Sequence, residues 1–185
     1  MQRPVQLTQR EFTVLQIRRW AEAGRLRAVV DACDAPGVWH RARDVGERGA
    51  VSLYKGRAEE DLAAIAPYLF DVDELTYEWI TSTLWPTPWG FFVLSDEPLE
   101  ALRQHYRKFL VAETPEGDQW YFRFYDPRVL EAYLPTCTSS ELADFFGPAR
   151  AVGFTNPATY GVTVMMRPEA ASGVERAQPV VVRSV

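Results

Sequence analysis

The sequence predicts an α+β fold: one compact domain, with room for two lobes, whose central mixed sheet is flanked by helices. Three observations point there. Apolar residues make up 47% and charged residues 24% of the 185-residue chain, the balance of a globular protein able to bury a substantial core. Short buried-strand patterns recur at 26–33, 90–95, 109–113 and 119–125. Helical patterns with recognisable ends interrupt them, so strands and helices must pack as layers around one core.

Residues 8–23 read as a helix. Thr8 and Glu11 form a capping-box pattern, Phe12, Leu15, Ile17 and Trp20 supply apolar contacts, and Gly24 ends the run. Residues 26–33, with Ala28, Val29 and Val30 in a row, form a buried strand stopped by Asp34, Pro36 and Gly37. Residues 41–49 are charged and glycine-containing, which predicts a surface loop, and 51–54 predict a second short strand. Residues 58–69 read as a helix with Glu59, Glu60 and Asp61 in its first turn, where acids favour the helix dipole. Pro67 should end or kink it. A further helix is expected over 73–84, then a rigid turn over 85–89 pinned by Pro86 and Pro88.

Residues 90–95 carry Phe91, Phe92, Val93 and Leu94, a strong buried strand, and 98–106 are helical. The strands 109–113 and 119–125 are joined by a short glycine-containing turn, the signal of a β-hairpin. Helices follow from Asp126-Pro127 to about Leu134 and over 139–146, the latter closed by Gly147-Pro148. Beyond, 162–166 and 180–182 predict strands and 170–178 a mobile stretch. The chain therefore divides into a main domain, 1–148, and a C-terminal extension, 149–185, packed on it or partly mobile.

A net charge of -5 supplies no basic face, so no nucleic-acid partner is expected. The start lacks the basic-then-apolar order of a signal peptide, and no apolar run approaches the roughly 20 residues that span a bilayer. The expectation is a cytoplasmic protein with no membrane insertion. Cys33 and Cys137 form no CxxC pair and read as two buried thiols.

Catalytic motifs are missing from the sequence: there is no GxSxG elbow, no Gly-rich phosphate loop and no HExxH. Cys33, His40 and Asp44 can be read as a thiol–imidazole–carboxylate set, but their spacing matches no known nucleophile–base arrangement. A strand end and a polar loop explain them instead. His105, flanked by Arg103, Arg107 and Lys108, reads as part of a solvated basic helix face. Asp71, Asp73 and Glu74 lack the glycine of a calcium loop and fit an acid-rich helix start. Asp31 and Asp34 bracket Cys33 in a structural role. No catalytic residue, metal or cofactor is expected, and the chain is not expected to be an enzyme.

Aromatic residues are more informative. Six tryptophans are many for this length; Trp79, Trp85 and Trp89 cluster, and Trp120 lies on the hairpin. Core packing explains any one ring, while a docking groove is the alternative, because Trp, Tyr and Arg are favoured interface anchors. From Trp120 to Leu130, alternation puts Trp120, Phe122 and Phe124 on one strand face and Tyr121, Arg123 and Tyr125 on the other. Asp126 suits a helix N-cap and Pro127 the first helical position. Arg123 and Arg128 flank that cap, to pair with Asp126 or another acid or to present a charged rim. The protein-binding candidates are Trp85, Trp89, Trp120, Arg123, Tyr125 and Arg128, with Asp126 and Pro127 as the structural cap.

The run Phe122-Arg123-Phe124-Tyr125-Asp126-Pro127-Arg128-Val129-Leu130 resembles the signature of the Tap/Tec-type adaptor-chaperones of type VI secretion. Val30-Asp31-Ala32, Leu53-Tyr54-Lys55-Gly56, Ala66-Pro67-Tyr68-Leu69, Trp89-Gly90 with Ser95, the Leu102–His105–Arg107 helix and Phe145-Phe146-Gly147-Pro148 are similar to further elements of that family, in the same order. Tyr54 stands where Phe is usual, and Tyr106 where Leu is usual. The resemblance implies a binding role: engaging a cognate toxic effector, through the effector's N-terminal region, and helping to load it onto a VgrG-type spike protein. A structural subunit of the secretion assembly and an enzyme with an unrecognised site are the alternatives.

Overall fold

The structure, a computed structural model, describes residues 9–33, 35, 37–85, 87–113, 116–156 and 161–168. The chain opens with β1 (Gln9–Thr13), α1 (Val14–Glu22), β2 (Leu26–Asp31), α2 (Gly37–Val45) and β3 (Ala50–Ser52). Then come α3 (Arg57–Asp61), a 3-10 turn (Ala63–Ile65), β4 (Pro67–Asp71) and α4 (Glu74–Trp79), which runs into a π turn (Ile80–Leu84). The middle holds β5 (Gly90–Leu94), α5 (Leu99–Tyr106), β6 (Val111–Glu113) and β7 (Gln119–Tyr121). Helices α6 (Pro127–Tyr133) and α7 (Ser139–Phe146) precede β8 (Ala151–Asn156) and β9 (Gly161–Met166).

The expected α+β architecture holds, with a seven-stranded sheet in the order β1-β9-β8-β5-β2-β4-β3. Its pairings are all antiparallel, where a mixed sheet was expected. Strand β2 is buried along its whole length, so alternate side chains feed two cores. Ala28, Val30 and Phe92 pack with Ile17, Val38 and Tyr77 from α1, α2 and α4. Val29, Phe91 and Val93 pack with Leu102, Leu130 and Phe145 from α5, α6 and α7. Gly90 sits where β5 presses against β2: its φ is 144°, and a Cβ there would lie 1.9 Å from the Val29 carbonyl oxygen.

Several elements differ from the expectation. Residues 9–13 are strand rather than the start of a helix, because β1 pairs with β9; Thr8 lies outside the described residues. Residues 41–45 belong to α2: Val38 and Ala42 lie one turn apart and bury, while Arg43 and Asp44 stay outside. The helix expected over 58–69 breaks after Asp61, and Pro67 opens β4, which pairs with both β2 and β3. Pro is tolerated at the first residue of a strand, where a missing N–H costs least.

Strands β6 and β7 form their own two-stranded ribbon and do not enter the main sheet. Residues 122–125 are neither strand nor helix. A boundary at 148 would cut the main sheet, because β8 lies between β5 and β9. The expected strand at 180–182 and mobile stretch at 170–178 lie outside the described residues. Among the described residues, no helix is long and apolar enough to cross a membrane.

Candidate protein-docking surface

Strand β2 ends at Asp31, whose carboxylate is buried. Its Oδ1 accepts from the Cys33 N–H at 2.9 Å, and its Oδ2 accepts from the Arg123 guanidinium. The Asp31 N–H donates to the Trp89 carbonyl at 2.8 Å. Three segments distant in sequence therefore meet at one residue, Asp31: the end of β2, the entry to β5 and the chain after β7. The hydrogen bond that Arg123 donates to Asp31 raises its guanidinium above its already high value, so this cation stays charged at any physiological pH. Its carbon also lies 5.7 Å from the centre of the Tyr125 ring, within cation–π range.

Tyr54, just beyond β3, completes the cluster. Its ring meets that of Tyr121 edge-on at 6.1 Å between centroids. The side chains of Tyr54, Tyr121 and Tyr125 interact with one another. Burial, then the Tyr54 contact, pushes both Tyr121 and Tyr125 well above the usual phenol value, so they remain neutral donors. The cluster holds the β6–β7 ribbon against the end of the main sheet.

Beside it, Asp126 caps α6 as expected. Its Oδ1 accepts from the Arg128 N–H at 3.0 Å, with Pro127 at the first helical position. The Arg128 guanidinium reaches back to both oxygens, at 2.9 and 2.6 Å. Those hydrogen bonds hold the Asp126 carboxyl below the usual carboxylate range. Each flanking arginine thus engages an acid: Arg123 takes Asp31, not Asp126, and Arg128 takes Asp126.

The six binding candidates do not share one face. Trp85 and Trp89 are core residues, 7% and 2% exposed, packed with Phe92 and Tyr77 on the α1–α2–α4 side. The turn that carries them folds inward, so neither ring is available to a partner. Tyr125 is buried as well. Trp120 is 64% exposed and Tyr121, which was not among the candidates, is 50% exposed. The alternation expected over 120–125 stops at Tyr121 because the ladder stops there; Phe124 turns into the core against Phe91 and Tyr106.

Other expectations also shift. Cys33 is exposed, not buried, while Cys137 is buried. His40 and Asp44 lie on the outer side of α2, not on a loop. His105 is half-buried rather than solvated: its Nε2 lies 2.8 Å from the Phe145 carbonyl, its ring packs on Phe109, and a Cβ at Gly147 would collide with it. Burial lowers the His105 imidazole. Asp73 caps α4, Asp71 pairs with Arg27 and Glu74 pairs with Arg18, so each acid of that cluster has a structural partner. Among the described residues, no three potential metal ligands gather.

A family model described as a domain of unknown function, DUF4123, matches residues 27–144. The chain belongs to the DUF4123 family. Comparison with curated proteins and with solved structures finds no match. The DUF4123 match spans β2 to α7 and so includes Asp31, Tyr54, Trp120, Tyr121 and Arg123, while β1, β8 and β9, which complete the sheet, lie outside it.

Proposed function

We propose that this DUF4123 protein is an adaptor-chaperone of type VI secretion that binds a cognate toxic effector and helps load it onto a VgrG-type spike. The observation that carries this reading is the way the resembling segments converge. Asp31, Tyr54, Trp89 and Arg123 come from four separate stretches and meet at the base of the β6–β7 ribbon. What they support is an exposed pair of aromatic residues, Trp120 and Tyr121, on a ribbon outside the main sheet. Exposed aromatic side chains on a rigid base are the chemistry of protein recognition, since they add contact area at low entropic cost.

The protein acts by binding rather than catalysis, in the cytoplasm, before the spike is fired. A secretion assay tests this. Deleting the chain should leave the spike assembling and firing while the cognate toxin is no longer delivered. Delivery of that toxin at the normal level without the chain contradicts the reading, and loss of spike assembly itself favours a structural subunit.

A further inference from the structure

The β6–β7 ribbon has an unpaired side. The Phe122 N–H donates to the Leu110 carbonyl at 2.9 Å, and Ala112 faces Trp120 in the same register. In an antiparallel ladder, bonded pairs alternate with non-bonded ones, so Leu110–Phe122 and Ala112–Trp120 are the bonded pairs. Gln119 and Tyr121 therefore turn their backbone N–H and C=O groups away from β6. Among the described residues, β7 pairs with β6 alone. Among them β6 likewise pairs with β7 alone; the short edge of the main sheet, β3, is different: Arg103 donates to the Ser52 carbonyl at 2.8 Å and to the Tyr54 carbonyl at 3.2 Å, which caps it.

Side chains around the open edge add a second signal. Tyr121 faces inward to Tyr54 and Tyr125, so Trp120 points to the opposite side of the ribbon. Its cross-strand neighbour is the small Ala112, which leaves most of the indole uncovered. Between Val111 and Phe122 the charged residues are Glu113, Glu116 and Asp118, all acidic. Of the cations near in sequence, Arg123 and Arg128 are held by Asp31 and Asp126, while Arg107 and Lys108 precede the ribbon and lie outside it.

We propose that the outer edge of β7 accepts an added strand from a partner protein, an extended segment bearing lysine or arginine, with an apolar side chain laid on Trp120. Backbone hydrogen bonds to Gln119 and Tyr121 give the segment its register, Trp120 gives it apolar contact, and the acids of the ribbon select its charge. This deepens the adaptor reading and rests on it only for the identity of the partner.

The test titrates the full chain with three capped peptides of about eight residues. One alternates Val and Lys, one alternates Val and Glu, and one is the Val–Lys peptide N-methylated at alternate residues. Calorimetry gives the affinity, and hydrogen exchange locates the contact. The Val–Lys peptide should bind, protect residues 119–121 and weaken as salt rises. The Val–Glu and N-methylated peptides should bind at least roughly tenfold more weakly. Gln119→Pro, which removes an outward N–H but no ladder bond to β6, and Trp120→Ala should each reduce Val–Lys binding by a similar factor. Circular dichroism checks that both variants fold, and Trp120→Ala leaves the backbone intact should Gln119→Pro fail to fold. No binding of any peptide, equal binding of all three, or protection away from residues 119–121 overturns the proposal. The adaptor reading is separate. A toxin that co-purifies equally with wild type and Trp120→Ala, in the absence of peptide binding, overturns strand addition alone.

Discussion

Arg123 donates a hydrogen bond to the buried carboxylate of Asp31 and so fastens the chain after β7 to the end of β2. Among the described residues, removing the cation leaves that carboxylate with the Cys33 N–H as its remaining hydrogen-bond partner. Arg123→Met should lower stability by at least about 1–3 kcal/mol, the usual cost of stranding a buried acceptor, which is higher when that acceptor is charged. In a double-mutant cycle with Asp31→Asn the two positions should couple by about 0.5–3 kcal/mol. Strictly additive effects in denaturant unfolding contradict the pairing.

Asp126→Ala should cost about 1 kcal/mol through loss of the α6 cap. The pH dependence has a defined sign. The Asp126 carboxyl is held below its ordinary value near 3.8, so its contribution is complete above that pH and is lost as pH falls through the lower folded value. The stability gap between wild type and Asp126→Asn should therefore narrow below about pH 4. A gap that widens in acid contradicts the assignment.

Trp89→Ala should destabilise by about 3–5 kcal/mol, as for other large-to-small changes in a packed core. Gly90→Ala should cost at least about 3 kcal/mol, because the new Cβ would collide with the Val29 carbonyl at a φ that disfavours side chains. Thermal unfolding of the two variants checks both. Near-wild-type melting of Trp89→Ala would return that ring to the surface.

Trp120→Ala makes the opposite case. With the indole mostly exposed, its loss should change stability by less than about 0.5 kcal/mol. Binding to the effector should nonetheless weaken by roughly tenfold or more, as expected of an exposed aromatic anchor. Unchanged affinity in a titration contradicts its role.

Much of the fold follows from local pattern. Phe91 to Leu94 could be read as a buried strand because every residue of β5 is covered on both faces. Asp126-Pro127 marked the start of α6 because capping chemistry is local. Residues 66–71 misled because Pro67 looks the same at a helix break and at a strand start; pairing with β2 and β3 decides between them. Strand β8 escaped notice because Gly153 interrupts its apolar run. A Cβ at that position would lie 2.9 Å from Val162 Cγ1 on the paired strand.

The candidate surface was legible in part. Trp120 and Arg123 stood out as residue types, but Trp85 and Trp89 could not be told from docking residues, since the same rings serve cores and interfaces. Asp31 gave no functional signal by itself. Its role depends on a contact with Arg123 across 92 positions of sequence, which local pattern does not encode.

The most direct measurement is the mass of the chain co-expressed with the proposed cognate toxin, read by light scattering after size-exclusion chromatography. The adaptor account predicts a single species heavier than either protein, and a docking role for Trp120 adds that Trp120→Ala weakens it. A folded wild-type chain eluting alone, beside a soluble and separate toxin, contradicts it.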